Sequence, residues 1–268
     1  MSDPLVTAAI AGDERAFEEL VAPHRRELHV HCYRMLGSFE DAEDAVQETL
    51  VRAWSRIGTY AEVSSFRAWL YAIATNVSLD ALRRRKSRVW PTTLASPANP
   101  RDVVPAPMDV LWLQPYPDAL LESAEDAVVH KESIELAFLV AIQQLPPRQR
   151  AVLILRDVLA WSAKEVAETL GTSPAAINSA LQRAHATLED LAADRGPRAS
   201  TADERVALEK FIKAWEAADI DQLADLLADD ARFVMPPRAT WLSGREDVLA
   251  FLKGDMKERS GSRIGANW

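Results

Sequence analysis

Four hydrogen-bonding side chains between positions 178 and 183 share one face of a predicted helix. Asn178 pairs with Gln182, and Ser179 with Arg183, at the i, i+4 spacing that places two side chains on the same side of a helix. Asparagine, glutamine and arginine hydrogen-bond to base edges in the major groove, and serine contacts phosphates. The face therefore favours DNA reading. A solvated face of a plain helical hairpin is the alternative, because such short patterns also arise by chance.

The residues around this face predict two short helices that would hold it. Ser162 and Glu165 have the spacing of a capping box, which predicts a helix start, and Gly171 would end that helix in the left-handed conformation. Ser173 followed by Pro174 predicts the start of the second helix. The apolar positions of the second helix, which recur at helical spacing, are Ile177, Leu181, Ala184 and Leu188. The segment is therefore predicted to be a helix-turn-helix whose second helix reads DNA.

The charge balance of the whole chain is unusual for a protein that binds DNA. Its 268 residues include 40 acidic and 31 basic side chains, for a formal net charge of −9. The distribution is uneven, because five of the six residues at 83–88 are basic, whereas 91–129 holds only Arg101 against six acidic residues. The basic cluster is suited to binding phosphate groups, but the chain as a whole, being negatively charged, would repel DNA.

Proline divides the chain into blocks. Seven of its 15 prolines lie within 91–117, a stretch that cannot continue a helix and is predicted to be an extended linker. We expect this linker, residues 91–129, to separate a helical domain at 1–90 from a second one at 130–195. A third block, residues 196–268, begins within the break DRGPRAST.

Several classes of protein find no support in the sequence. It has no run of about 18 apolar residues and no signal peptide, so we expect a cytoplasmic protein without a membrane partner. Cys32 is the only cysteine, which excludes an internal disulfide. His24, His29, His31 and Cys32 lie close together in the sequence, but structural zinc needs four ligands at defined spacings, and HVHC has no matching second ligand pair. With no glycine-rich phosphate loop and no GxSxG elbow, we expect no metal, no cofactor and no enzymatic activity.

Residues 145–188, LPPRQRAVLILRDVLAWSAKEVAETLGTSPAAINSALQRAHATL, resemble domain four of the extracytoplasmic-function sigma factors of bacterial RNA polymerase. The portion NSALQRA is similar to the subgroup that carries an extra C-terminal domain. The resemblance implies that this domain reads the −35 promoter element. The implied DNA-binding residues are Ser173, Asn178, Ser179, Gln182 and Arg183.

A separate resemblance lies in the N-terminal block. In residues 41–57, DAEDAVQETLVRAWSRI, a broad apolar stripe leaves Asp41, Asp44, Gln47 and Glu48 largely outside it. This stretch resembles the helix of sigma domain two that docks on the clamp helices of the largest polymerase subunit, which implies that these four residues bind core polymerase. An acidic, solvated helix face is the alternative, because charged faces are normally only solvated.

The next stretch, residues 58–88, resembles the element of the family that melts and reads the −10 promoter element. The resemblance implies that Tyr60 and Asn76 take up an unstacked base, although Tyr60 could equally be a buried core residue. The other members of this predicted DNA-binding set are Asp80, Arg83, Arg84, Arg85 and Lys86. Because the polymerase core of this family carries a strongly basic channel, the resemblance also implies that the acidic free subunit binds DNA weakly until it docks.

The third block has the order helix, helix, strand, helix, which resembles the start of a SnoaL-like domain of the nuclear-transport-factor-two type. One clear strand, ARFVM, is predicted, and Ser243 would cap a further helix within WLSGREDVLAFL, so we expect an incomplete, truncated domain. The resemblance implies that this domain regulates the chain in cis. The sequence identifies no regulatory ligand or protein for it.

The linker also contains an apolar segment, VLWLQPYPDALL at 110–121. It resembles the tryptophan-proline tether motif of SnoaL-carrying sigma factors, which implies that Trp112, Leu113 and Tyr116 pack against the C-terminal domain. A local contact with either helical domain is the alternative, because apolar linker residues commonly pack locally.

The predicted fold class is mainly α, with two helical sigma domains, a Pro-rich tether and a partial α+β SnoaL-like domain. The predicted function is that of a sigma factor, which binds core RNA polymerase and directs promoter recognition, melting and transcription initiation. The alternative is a stand-alone helix-turn-helix regulator that binds an operator, although such a protein has no need for a clamp-docking helix. The third interpretation is a SnoaL-like enzyme fused to DNA-binding helices. It is the least favoured, because without a complete sheet the domain would have no enclosed pocket for a substrate.

Overall fold

The structure, a computed structural model, describes residues 3–60, 65–84, 96–100, 113–114, 116–117, 139, 142–193, 201–234 and 240–259. The chain divides into two compact units. Unit one comprises residues 1–88 and 113–194, and unit two comprises residues 89–112 and 195–268. None of the helices in the described part of the chain has both the length and the apolarity needed to cross a bilayer.

The N-terminal part of unit one is helical. Its elements are α1 (Pro4–Ile10), α2 (Glu14–Val21), a 3-10 turn (Ala22–His24), α3 (Arg25–Leu36), α4 (Phe39–Arg56), a second 3-10 turn (Ile57–Thr59) and α5 (Phe66–Arg84). The side chains of Asp3, Asp13 and Ser38 accept hydrogen bonds from backbone N–H groups in the first turns of α1, α2 and α4. Gly37 has a φ of 69°, which ends α3 and allows a sharp turn into α4.

Helices α3, α4 and α5 pack against one another around a shared core. The side chains that α4 buries are small or β-branched, which lets its neighbours approach closely: Ala42, Ala45, Val46, Thr49 and Ala53. Larger side chains of α3 and α5, including Tyr33, Met35 and Leu70, fill the space between them and are fully buried. Because the buried positions of α4 recur at helical spacing, its remaining side chains are left on the surface.

His31 is completely buried in this core, on the side where α3 meets α5. Its Nε2 lies 2.9 Å from the hydroxyl of Thr75, and that hydroxyl donates its hydrogen to the carbonyl oxygen of Tyr71 at 2.8 Å. Nε2 of His31 therefore carries the ring hydrogen and donates a hydrogen bond to the Thr75 hydroxyl oxygen. Burial above all, with smaller contributions from the charges of Arg34 and Arg67, lowers the pKa of His31 to about 3, so the ring is neutral.

We expect His31 to make the stability of unit one depend on pH. Its pKa falls from 6.5 to about 3 on folding, so the unfolded chain binds a proton that the folded chain excludes, and stability is lost as the pH drops below 6.5. Between pH 7 and pH 5 this residue should remove about 2 kcal/mol from the free energy of unfolding. Urea unfolding of the wild type and of His31→Leu at both pH values measures the difference. The same pH dependence in both proteins would contradict a buried neutral ring.

The C-terminal part of unit one is a helix-turn-helix domain. Its elements are α6 (Pro147–Leu153), which continues as a π-helical turn (Ile154–Val158), α7 (Ala163–Leu170) and α8 (Pro174–Ala193). The predicted capping box is present at the start of α7, where the Ser162 hydroxyl accepts from the Glu165 N–H at 3.2 Å and the Glu165 carboxylate accepts from the Ser162 N–H at 2.7 Å. Gly171 ends α7 with a φ of 61°. Ile177 and Ala184 of α8 are buried, as the apolar spacing predicts.

The described residues of unit two form three helices and a hairpin. These elements are α9 (Thr201–Glu216), α10 (Ile220–Leu226), β1 (Arg232–Val234), β2 (Trp241–Ser243) and α11 (Arg245–Arg259). The two strands are antiparallel, with Phe233 opposite Leu242. The fully buried core of this unit consists of Ala214, Leu223, Leu242, Val248 and Leu252.

One element of unit two differs from the sequence prediction. The sequence predicted no strand at 241–243 and placed Ser243 as a helix cap, but these residues form β2, and the helix begins only at Arg245. Gly244 has a φ of 97°, which interrupts any helix at this point, and pairing with β1 satisfies the backbone of Trp241–Ser243 instead. The partner strand therefore decided the conformation of a segment whose apolar pattern is short enough to suit either structure.

Candidate functional site

The predicted polymerase-docking residues lie on the outer face of α4. Asp44, Gln47 and Glu48 are exposed, and Asp41 is half-buried beside the N-cap residue Ser38. We call the surface formed by Asp44, Gln47 and Glu48 the acidic face of α4. Since the opposite side of the helix is packed against α3 and α5, this face presents two carboxylates and one amide on a rigid support. The arrangement is suited to a partner that offers cationic or hydrogen-bond-donating groups.

The exposed residues predicted to contact the −10 element lie near the C-terminal end of α5. Asn76, Arg83 and Arg84 are all exposed and lie on one face at i, i+7 and i+8. The Asn76 amide donates to the carbonyl oxygen of Ala72 at 2.9 Å, one turn back in the same helix. The two arginines present cationic groups suited to phosphate. Two further members of the predicted set, Arg85 and Lys86, lie outside the described residues.

Asp80, on the same face of α5, has a different environment from the one expected of a DNA contact. Its Oδ1 accepts from Arg83 at 2.9 Å, and its Oδ2 accepts from Arg52 of α4 at 3.2 Å. The side chain is 32% exposed. An isolated carboxylate repels phosphate. In this structure the Asp80 carboxylate instead binds the guanidinium groups of Arg52 and Arg83. The sequence predicted neither of these ion pairs.

An aromatic cluster, formed by Tyr60, Phe66 and Trp69, lies at the start of α5. The Tyr60 ring centroid is 5.6 Å from that of Phe66 and 5.3 Å from that of Trp69. All three side chains are half-buried, so Tyr60 is neither a fully buried core residue nor a fully exposed one. Partly exposed rings of this kind offer faces on which an unpaired base can stack.

The predicted −35 residues lie on the exposed face of α8. Asn178, Ser179, Gln182 and Arg183 are all exposed, and we call them the reading face of α8. Ser173 is also exposed, but its hydroxyl accepts from the Ala176 N–H at 3.2 Å and so caps the helix. The structure therefore brings together the four side chains whose spacing indicated a DNA-reading surface.

A side-chain contact that the sequence did not indicate lies beside the reading face, because His185 is seven residues after Asn178 and therefore on the same side of α8. Nε2 of His185 lies 2.6 Å from a carboxylate oxygen of Asp157, in the π-helical turn after α6. This contact joins the middle of α8 to the π-helical turn that continues α6. At the start of α7, hydrogen bonds from Ser162 lower the pKa of Glu165, which keeps the capping carboxylate ionised.

Comparison with known proteins shows the family to which the chain belongs. Three family models match in order along the chain: Sigma-70 region 2 at residues 20–88, Sigma-70 region 4 at 135–188 and the SnoaL-like domain at 208–264. The chain is 44% identical over 261 residues to the ECF RNA polymerase sigma factor SigG of Mycobacterium tuberculosis. The aligned region covers 91% of this chain and 70% of SigG. The chain belongs to the extracytoplasmic-function sigma factors.

A second relative and its solved structure agree with this assignment. This sigma factor is 31% identical over 253 residues to SigJ of M. tuberculosis, covering 91% of this chain and 74% of SigJ. The crystal structure of M. tuberculosis SigJ matches with a TM-score of 0.58 at 26% identity, covering 90% of this chain and 75% of that one. The predicted family, the mainly α fold class and the sigma-factor function are thereby confirmed, and the operator-binding alternative is not favoured.

Part of the linker of this sigma factor packs on the corner between α3 and α4. The Gln114 side-chain oxygen accepts from the Ser38 hydroxyl at 2.8 Å and from the Phe39 N–H at 3.0 Å, so it helps to cap α4. The Gln114 backbone N–H donates to the Gly37 carbonyl oxygen at 3.0 Å, and its carbonyl accepts from the Tyr33 hydroxyl at 2.6 Å. Four hydrogen bonds therefore hold one linker residue at the N-terminal end of α4.

The expected role of Leu113 and Tyr116 is corrected by their positions. Both were predicted to contact the C-terminal domain, but they pack on the N-terminal helices of unit one, which was the less favoured alternative. Tyr116 is 8% exposed, and its ring lies 5.6 Å from that of His29 and 5.7 Å from that of Phe39. Leu113 is 4% exposed, so both apolar side chains are already buried where they lie. Trp112 lies outside the described residues.

A buried arginine in α6 joins this helix to α3 by a hydrogen bond. The Arg150 side chain is 1% exposed, and its guanidinium donates to the carbonyl oxygens of Met35, Ile142, Gln143 and Leu145, and to the Gln143 side-chain oxygen. Burial lowers the pKa of Arg150 to about 10, so the group is charged at neutral pH. The hydrogen bonds to these five acceptor oxygens offset the free-energy cost of burying the cation.

Further contacts join the helix-turn-helix domain to the N-terminal helices within unit one. The Gln143 amide donates to the Arg34 carbonyl oxygen at 3.2 Å, and the Trp161 ring packs edge-on against the Tyr71 ring at 5.9 Å. From the sequence, LPPRQR at 145–150 was only the first part of the segment that resembles domain four. Its second arginine proves to be the central residue of this contact, which residue spacing could not indicate.

The histidine and cysteine cluster of α3 has structural partners. Nε2 of His29 donates to the Phe39 carbonyl oxygen at 3.3 Å, and its Nδ1 lies 3.1 Å from the Tyr116 hydroxyl. Cys32 is fully buried, which raises the pKa of its thiol to about 12. Within the ranges that the structure describes, no three His, Cys, Asp or Glu side chains are grouped so that they could hold a metal ion.

Proposed function

We propose that this sigma factor docks on bacterial core RNA polymerase through the acidic face of α4 and so brings α5 and α8 to the promoter. One observation carries the proposal. In a chain of this family, Asp44, Gln47 and Glu48 are exposed together on a helix whose other sides are packed against α3 and α5. A rigid, charged face of this kind is suited to recognising a folded partner without rearrangement.

An exposed apolar residue supports docking at this face. Val51, one turn beyond Gln47 and Glu48, is an aliphatic side chain that is 64% exposed. It extends the acidic face with an apolar surface. Protein interfaces combine an apolar centre with polar groups at its edge, so this combination favours a protein partner over simple solvation.

At the −10 element, we propose that Arg83 and Arg84 hold phosphates of the DNA strand while an unpaired base stacks on the aromatic cluster. Phosphate contacts position the strand but carry no sequence information. Stacking on an aromatic side chain is worth about 1–3 kcal/mol per base, which helps to compensate for the stacking lost when the duplex melts. Asn76, Arg85 and Lys86 complete the proposed set.

At the −35 element, we propose that α8 lies in the major groove with its reading face toward the bases. Ser173, at the start of this helix, would contact the backbone there. The formal charge of −9 means that the free protein repels DNA, so binding is expected to depend on the basic surface of the polymerase. Promoter recognition would therefore follow docking, in the cytoplasm where the polymerase acts. We also propose that the SnoaL-like block, residues 196–268, regulates this step in cis.

The test uses the whole chain with bacterial core RNA polymerase. Size-exclusion chromatography of the mixture should show co-elution, and the complex should enrich fragments with two spaced motifs from a random DNA library. The free chain should bind the enriched DNA only weakly at physiological salt. Tight, sequence-specific binding by the free chain as a dimer would contradict the proposal and would return attention to an operator-binding regulator.

The reading face yields a separate prediction. Replacing Gln182 and Arg183 together with alanine should weaken binding of the complex to the enriched promoter by at least about 30-fold, because a good bidentate side-chain contact to a base is worth about 1–3 kcal/mol. The ratio of affinities for this promoter and for one with a scrambled −35 motif should fall toward one. Glu189→Ala with Asp190→Ala, on the same helix, should leave that ratio unchanged. An unaltered ratio in the first variant would contradict base reading by α8.

A further inference from the structure

Four charged side chains form a continuous chain between α4 and α5. Nε of Arg52 lies 2.7 Å from a Glu48 carboxylate oxygen, and Nη1 of Arg52 lies 3.2 Å from Oδ2 of Asp80. Oδ1 of Asp80 lies 2.9 Å from Nη1 of Arg83. The order is acid, base, acid, base, so each inner group is shared between two partners of opposite charge. One end lies on the acidic face of α4 and the other on the phosphate-binding face of α5.

The arrangement makes Arg52 the link between the two helices. Its guanidinium offers separate nitrogens in a fixed plane, so it can bind Glu48 and Asp80 at the same time, which the single ammonium of a lysine does less well. Its side chain is 24% exposed, whereas that of Glu48 is 50% exposed and that of Arg83 is 68% exposed. The outer groups are therefore open to external partners, while the inner two are partly enclosed. The hydrogen bond to Glu48 and, to a smaller extent, the one to Asp80 raise the pKa of Arg52.

We propose that Arg52 is a positioning residue that couples polymerase docking to phosphate binding by Arg83. The inference rests on the proposed function, because it requires that the polymerase engages Glu48. A donor group on the polymerase competes with Arg52 for the Glu48 carboxylate, so Arg52 shifts its interaction toward Asp80. Asp80 then holds Arg83 less tightly, and the Arg83 guanidinium becomes available to a phosphate.

Exchange of this kind is physically feasible because partly exposed ion pairs are individually weak. The exchange leaves no charged group both buried and unpaired, because the outer groups, Glu48 and Arg83, remain in contact with water. Coupling between two binding sites is reciprocal, so promoter binding at Arg83 strengthens polymerase binding at Glu48 by the same factor. The effect should be modest, on the order of 3–5-fold, because each link is a single exposed ion pair.

The experiment measures promoter binding at several salt concentrations with core polymerase at a saturating level. In Arg52→Gln, Asp80 has lost one cation and retains Arg83 more tightly. Promoter affinity should fall about 3–5-fold, and the slope of log affinity against log salt should shrink by roughly one phosphate contact. A merely structural role for Arg52 would weaken binding without changing the number of phosphate contacts.

A second variant and a matched control complete the test. Adding Asp80→Asn to Arg52→Gln removes the group that retains Arg83, so the double variant should recover the wild-type salt slope. Arg15→Gln removes an arginine from another i, i+4 pair, with Glu19 on α2, and should change neither affinity nor slope. An unchanged slope in Arg52→Gln, or a reduced slope that persists in the double variant, would overturn the inference. Absence of a complex between the wild-type chain and core polymerase would instead overturn the proposed function.

Discussion

Replacing Asp44, Gln47 and Glu48 together with alanine should abolish co-elution with core RNA polymerase. The three side chains lie on one exposed face of α4, and residues at the centre of an interface carry most of its binding free energy. Loss of two carboxylates and an amide from that centre should raise the dissociation constant by at least about 100-fold. Fluorescence anisotropy of the labelled chain, titrated with core polymerase, measures the change.

The fold should survive this substitution. None of the three side chains contributes to the packed core, and the ion pair that Glu48 makes with Arg52 is partly exposed and worth less than about 1 kcal/mol. Glu14→Ala with Glu18→Ala on α2 gives the same change in net charge and should leave polymerase binding intact. Wild-type affinity in the triple variant would show that the docking surface lies elsewhere.

The second large effect is expected at Arg150. Its replacement by alanine should lower the free energy of unfolding of unit one by about 3–5 kcal/mol, because four buried carbonyls and the Gln143 amide lose their donor and a cavity remains. Arg150→Lys should recover only part of the loss, because an ammonium lacks the planar fork of five donors. Urea unfolding followed by far-ultraviolet circular dichroism measures both variants.

Arg148 provides the matched control for this prediction. It lies two residues earlier in the same helical turn and is exposed, so Arg148→Ala should change stability by less than about 0.5 kcal/mol. The comparison separates the loss of a buried hydrogen-bond centre from the loss of a positive charge. A cost below about 1 kcal/mol for Arg150→Ala would mean that the contacts between α6 and α3 contribute little to the fold.

Features that depend on neighbouring residues were predictable from the sequence. The capping box of Ser162 and Glu165, the left-handed end at Gly171 and the buried positions of Ile177 and Ala184 all follow from spacings of three to seven residues. Hydrogen bonds and side-chain stacking within one or two turns govern such features, so a local pattern is sufficient to predict them. The exposure of the predicted docking and reading faces follows from the same periodicity.

The linker shows where local patterns were insufficient. The apolar character of Leu113 and Tyr116 correctly indicated that these residues are buried, but their partner was predicted wrongly. Hydrophobic burial is non-directional, so an apolar segment fits any complementary pocket within reach. Gln114, which the sequence did not single out, makes four hydrogen bonds at the same corner.

The sequence by itself determined the family of this protein, its helices and the side chains that face outward, because these depend on the order and spacing of residues. Only the tertiary structure decided the partners of Arg52, Arg150, Gln114 and His31. Among the hydrogen bonds of these residues, those that join separate elements link positions 28 to 115 residues apart, such as Arg52 with Asp80 and Arg150 with Met35. Contacts of that range are set by how helices pack in three dimensions, which a pattern along a single helix does not encode.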